Sequence, residues 1–304
     1  MTLPSETLAL TAELRDELAR NEPRRKLIDP RGVPLRFHHL KAIGRSAAHC
    51  FESFQSDGDD SLAKRMGSGV HALLMGQPSA VFDMPAKRGK GRAPRTPGSE
   101  QWEEFRAKHA GSVILSRKEN DEAIRIVTAI RNNPEAHQWL TAPGVSYERT
   151  IRWSQAGRDR QSTPDVRCPR RITEVKTTRS AAPGAFRWDV KRFCYHAQLV
   201  DQRNAARTQN RDPEELCIIA VEKTRPYVVQ TYRLTPRDIE LGERILGAWF
   251  NAFRVAEDSN AWGGYADGTI DLDVPDDDDD GEIVFGEPEE DDAEQVVDGI
   301  EVPF

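Results

Sequence analysis

The chain has 304 residues, with 43 Lys+Arg against 50 Asp+Glu and a hydrophobic content of 38%. Nineteen of the acids, and none of the Lys or Arg, lie between Glu257 and Phe304, leaving 31 acids and 43 bases before them. A basic body with an acidic tail suits a polyanionic partner for the body. No apolar run reaches the ~20 residues of a membrane span. Cys50, Cys168, Cys194 and Cys217 lie far apart with no CxxC pair, which argues against a zinc ribbon, an iron–sulfur cluster or a disulfide framework. The start of the chain lacks the basic-then-apolar order of a signal peptide, so a reducing, cytoplasmic setting is expected.

Residues 7–20 read as an amphipathic helix, and 22–36, with three prolines and Gly32, as a connector. Helical stretches follow at about 38–54 and 61–76. The segment 86–97 is rich in Gly, Pro and base, and is expected to be an exposed loop carrying Lys87, Arg88, Lys90, Arg92 and Arg95. Ser99 caps a short helix to His109. Ser116 and Glu119 form a capping box, and the helix it opens ends at Asn133-Pro134.

The period then shortens to two. Val145, Tyr147, Ile151 and Trp153 alternate as in one half-buried strand, which puts Glu148 on the opposite face. Short strands are expected at 162–167 and 171–177, then one helix over 184–207. A strand pair at 216–222 and 226–234 is joined by a tight turn. Thr235-Pro236-Arg237-Asp238 opens a last helix to about 256. Beyond Trp262 the chain turns acidic and loses its period, and is expected to be disordered. The order describes an α/β (α+β) fold with a helical N-terminal portion. Three regions are expected: 1–36, a domain over 37–270, and an acidic tail over 271–304.

Chemistry concentrates in residues 162–178. Asp165 follows Pro164, and Glu174-Val175-Lys176 comes nine residues later. Residues two apart on a strand point the same way, so Glu174 and Lys176 share a face. If the two strands pair as a hairpin, Asp165 reaches the same spot. Two carboxylates suit a hard cation such as Mg²⁺, and the lysine would orient the attacking water or take a proton from it. An acid-x-Lys strand alone is most often a solvated ion pair, and a Pro-Asp alone a turn. Together, at this spacing, they favour catalysis. Arg179, Lys191, Arg192 and the basic loop bracket the site and are expected to contact DNA backbone without reading sequence.

Four further motifs stand in order around this segment. They are Met66-Gly67-Ser68-Gly69-Val70-His71, Tyr195-His196-Ala197-Gln198, Glu222-Lys223-Thr224-Arg225-Pro226-Tyr227 and Trp262-Gly263-Gly264-Tyr265. The set resembles the nuclease domain of the RecE-type (exodeoxyribonuclease VIII-like) exonucleases of the PD-(D/E)xK superfamily, which also holds the lambda-type exonucleases. The resemblance implies a PD-(D/E)xK core, a central mixed sheet flanked by helices. It implies that His71, Asp165, Glu174 and the Val175 carbonyl bind metal, and that Lys176 is catalytic. Glu148 would assist a second ion, and Tyr195 and Gln198 would line the site near a DNA end. Two positions depart from the family pattern: Thr163, where a base is usual, and Gln202, where a Tyr is common.

The resemblance further implies an exonuclease that digests linear duplex DNA 5′ to 3′ and leaves 3′ single strands for phage-type recombination. Mg²⁺ is the expected cofactor, with Mn²⁺ as substitute. A ring-shaped homo-oligomer and a single-strand annealing protein are the expected partners. The tail ends in Val302-Pro303-Phe304, similar to the tip of bacterial single-stranded-DNA-binding proteins, and is expected to recruit a partner or fold back on the DNA channel.

Overall fold

The computed structural model describes residues 27–55, 62–82, 100–266 and 268–272. The expected helix at 7–20, the basic loop at 87–95 and the tail beyond 272 lie outside the described residues. Among the described residues the chain is a mixed α/β protein with nine α-helices and a mixed five-stranded central sheet. No helix there is long and apolar enough to cross a membrane.

A 3₁₀ turn at Pro30–Gly32 precedes α1 (Phe37–Ile43) and α2 (Ala47–Gln55). The expected single helix at 38–54 is therefore two, broken at Gly44–Ser46. Then come α3 (Leu62–Met75), β1 (Ser79–Phe82), α4 (Glu100–Lys108) and β2 (Val113–Ser116). Strands β1 and β2 form a small parallel sheet that the sequence did not announce. Each is four residues long, too short to establish a period. Ser116 opens α5 (Arg117–Asn132) through the expected box: its hydroxyl accepts from the Glu119 N–H, and the Glu119 carboxylate accepts from the Ser116 N–H. Asn133 then caps α6 (Pro134–Leu140).

The strand expected through 145–153 is overturned. Strand β3 (Ser146–Tyr147) stops at Glu148, whose φ of 49° is left-handed, and β4 (Ile151–Gln155) starts again in a different sheet. The alternation that set Glu148 opposite Tyr147 does not survive this break. The strand expected at 162–167 is also divided. Strand β5 (Arg158–Ser162) pairs with β4, Pro164 interrupts, and β6 (Val166–Arg167) joins the central sheet. Proline offers no N–H to a ladder, so the chain leaves one sheet there and enters another.

Strand β7 (Arg171–Thr178) lies antiparallel to β6, as the hairpin reading required. The helix expected over 184–207 is two, α7 (Pro183–Arg192) and α8 (Tyr195–Arg207), parted at Cys194, whose φ is 56°. Together they carry the chain across to β8 (Glu215–Glu222), which runs parallel to β7. Strand β9 (Val229–Arg233) returns antiparallel, and α9 (Pro236–Ser259) follows behind the Thr235 cap. The sheet order is β3-β6-β7-β8-β9.

The sheet separates two cores. Ile172, Ile218 and Ala220 face one, shared with α1, α2, α8 and α9. Val166, Val175, Ile219 and Val221 face the other, shared with α3, α5 and α6. This is the helix–sheet–helix layering in which both sheet faces are apolar. The end of the connector belongs to the first core: Leu35 is fully buried and bridges Arg160, and Arg158 donates to the Pro30 and Val33 carbonyls. The Trp262–Tyr265 motif docks on α2, with Ala48 N–H on the Gly263 carbonyl and Phe51 against Trp262.

Candidate active site

Strand β7 fixes the geometry. Glu174 and Lys176 point toward α8, and Val175 between them points into the α3 core. Glu174 is 1% exposed. Its Oε2 accepts from Lys176 Nζ at 2.6 Å and Gln198 Nε2 at 2.9 Å; its Oε1 accepts from Gln202 Nε2 at 2.6 Å and the Asp165 N–H at 3.3 Å. Gln198 and Gln202 are four apart on α8 and so share one helix face. The Lys176 ammonium also lies 5.0 Å from the centre of the Tyr195 ring.

Asp165 ties the two halves together. Its Oδ2 accepts from the Val175 N–H at 2.7 Å, and its carbonyl accepts from the Glu148 N–H at 3.0 Å. The left-handed turn at Glu148 thus brings that carboxylate back over Asp165. A left-handed non-glycine residue costs roughly 1–2 kcal/mol, a strain that collects at functional sites. His71 comes from α3 on the other side of the sheet. Its Nε2 lies 2.9 Å from the Val175 carbonyl; a carbonyl only accepts, so Nε2 carries the hydrogen. Its Nδ1 faces Asp165 Oδ1 at 3.4 Å and Glu148 Oε1 at 3.6 Å.

The electrostatics follow from this crowding. Burial alone would lower the His71 pKa, but Asp165 and Glu148 push it up to about 10. Burial raises Asp165, yet the His71 and Lys176 charges bring it below its ordinary value. Glu174 is raised by burial and by Asp165, against Lys176 and Gln202. Burial would discharge Lys176, but Glu174 and Asp165 outweigh it and hold the ammonium protonated.

Ligand atoms of His71, Glu148 and Asp165 lie within 4.8 Å of one another. One imidazole nitrogen with two carboxylates fits a hard-to-borderline divalent ion such as Mg²⁺ or Mn²⁺. Glu174 stands beside this trio with both oxygens engaged by Lys176, Gln198 and Gln202. The Val175 carbonyl keeps a second lone pair beyond the one that meets His71.

No family model matches the chain, and no curated protein matches it. The chain is similar to a crystal structure from Eubacterium rectale, a protein provisionally named an exonuclease. The TM-score is 0.54 at 11% identity, covering 90% of this chain and 97% of that one. At that identity the likeness shows a shared fold. A second solved structure covers 43% of this chain and 69% of its own at 12% identity and a TM-score of 0.24.

Two clefts flank the site. One of about 400 Å³ is lined by Arg36, Phe37, Lys41, Phe193, Tyr195, Gln198 and Gln202, among others. The other, of about 490 Å³, is lined by residues of α3, including Gly67, Ser68 and His71, and by Glu148. Arg179, Lys191 and Arg192 are exposed on and before α7. His196, next to Tyr195, turns away: it is buried, with Nδ1 3.3 Å from the Val190 carbonyl. Gln202 is the residue to which sequence reasoning gave no role at the carboxylate. Its four-residue spacing from Gln198 was the signal that could have found it.

Proposed function

We propose that this chain is a divalent-metal-dependent nuclease of the PD-(D/E)xK type, a RecE-type exodeoxyribonuclease that digests linear duplex DNA from its ends. The observation that carries the reading is the convergence of His71, Glu148 and Asp165 beside the Glu174–Lys176 pair. The ordered motifs of the sequence and the fold shared with the Eubacterium rectale protein support it. The 5′-to-3′ polarity, a role in phage-type recombination beside an annealing protein, and a ring-shaped oligomer rest on the sequence resemblance.

A divalent ion held by His71, Asp165 and Glu148 would supply Lewis-acid charge to the scissile phosphate and lower the pKa of water. The chain's own groups do the rest. Lys176 is held close by Glu174, with Asp165 nearby, and both carboxylates favour its ammonium form. It places a fixed positive charge where negative charge develops. Gln198 and Gln202 hold Glu174 in one rotamer, and Glu174 holds Lys176. Asp165, tied to the Val175 N–H, cannot swing away from the site.

The test is digestion of linear duplexes labelled at the 5′ or the 3′ end, with Mg²⁺ and with EDTA. Mg²⁺-dependent release of 5′-end label first, with closed circles left intact, is expected. Cleavage of closed circles would point to an endonuclease, and no cleavage of any DNA would end the nuclease reading.

A further inference from the structure

Between the surface of α7 and the catalytic lysine lie three aromatic rings, each with at least one cation near its face. Trp188 is 55% exposed, an unusual place for so large an apolar side chain, and Arg187 and Lys191 lie 5.4 and 5.7 Å from its ring. Arg192 and Lys41 lie 5.2 and 5.3 Å from the ring of Phe193. Phe193 stacks on Tyr195 at 5.5 Å and 25°. Tyr195 in turn lies under Lys176. The inner half of this series is the wall of the cleft beside α8, and no carboxylate lines that cleft among the described residues.

Folding stability explains the inner members but not the outer ones. Tyr195 packs on the core, whereas Trp188 covers nothing with most of its surface. Rings that offer a face, spaced by cations that neutralise phosphates, are what a protein needs to hold unpaired bases without reading them. A duplex keeps its bases stacked inside and offers such rings nothing. We propose that this ladder of Trp188, Phe193 and Tyr195, with Arg187, Lys191, Arg192 and Lys41, is a track for an unpaired polynucleotide strand leading to the catalytic site. It rests on the nuclease reading and adds to it that the strand is single where it meets the protein. The break at Cys194 parts α7 from α8 between Phe193 and Tyr195, and both rings line the cleft.

The test uses the full chain in EDTA, so that nothing is cut. Fluorescence anisotropy compares a labelled oligothymidylate with a duplex of the same length. Trp188→Ala and Phe193→Leu are each expected to weaken single-strand binding by roughly fivefold or more, the worth of one base stacked on one ring. Neither should weaken duplex binding comparably. Lys191→Gln and Arg192→Gln should each lower the single-strand salt slope by about 0.7. Equal losses on both DNAs, or no loss on either, would overturn the track while leaving the nuclease reading standing. A wild-type chain that binds neither DNA yet cuts neither with Mg²⁺ would instead bring down the nuclease reading itself.

Discussion

Glu174 meets four donors with two oxygens, and the consequences can be measured one residue at a time. Glu174→Gln replaces an acceptor with a donor facing Lys176 and the two glutamines. Lys176→Met removes the half-buried positive charge. Each is expected to lower cleavage by about 10²–10³-fold or more, the usual cost of losing a preorganised charge. Asp165→Asn should do the same and also weaken metal binding, which Lys176→Met should spare. Wild-type rates in any of the three, by end-label release, would contradict this role. His71 gives a second prediction. In the unfolded chain an imidazole loses its proton near pH 6.5, but in the folded, metal-free chain His71 keeps it to about 10. The stability it adds is therefore full below about pH 6.5 and is lost as the pH rises toward 10. Urea titrations across that window should show the decline, and His71→Asn should flatten it. An ion taking this place must displace the proton, so calorimetry in buffers of different ionisation enthalpy should find about one proton released per Mn²⁺ near neutral pH.

At the scale of elements, what was legible divides by physical cause. The Ser116 box and the Thr235–Asp238 cap were readable because capping is local. The shared face of Glu174 and Lys176 followed from the strand period, and the β6–β7 pairing put Asp165 beside them. Glu148 and Cys194 were not readable. Both are non-glycine residues at left-handed φ, a state that tertiary contacts impose and composition does not mark. The approach of Glu148 to His71 was hidden by the same limit, because the turn at Glu148 brings them together. Helix α8 depends on its close approach to α9 at Gly242, where an added Cβ would meet Val200 Cγ2 at 2.9 Å and the His196 carbonyl at 3.1 Å. Gly242→Ala is expected to destabilise the fold by roughly 1–3 kcal/mol, as over-packing does. Urea midpoints check this. Because α8 carries Gln198 and Gln202, activity should fall more steeply than stability.

For the whole molecule, charge is the long-range variable. The acidic segment sits at one end of an otherwise basic chain, and it competes with DNA if it folds back. Removing residues 276–304 is then expected to tighten nonspecific duplex binding and steepen its salt dependence. If the segment recruits a partner instead, such as an annealing protein or a host enzyme, binding stays as it was and only pull-down of that partner is lost. Neutralising Lys87, Arg88, Lys90, Arg92 and Arg95 together should lower the duplex slope by up to about 0.9 for each phosphate the loop no longer neutralises.

The two clefts have a kinetic consequence. His71 and Glu148 open to the α3 side, whereas Gln198, Gln202 and Tyr195 open to the α8 side. On the proposed function, an ion and a strand would therefore reach the site by separate doors. A chelator mixed with a protein already loaded on DNA should halt digestion as fast as one mixed with free protein. If bound DNA slowed the quench in a rapid-mixing experiment, the two routes would have to merge before they reach the carboxylates. With separate doors, the chain could exchange its ion in mid-digestion without releasing its substrate.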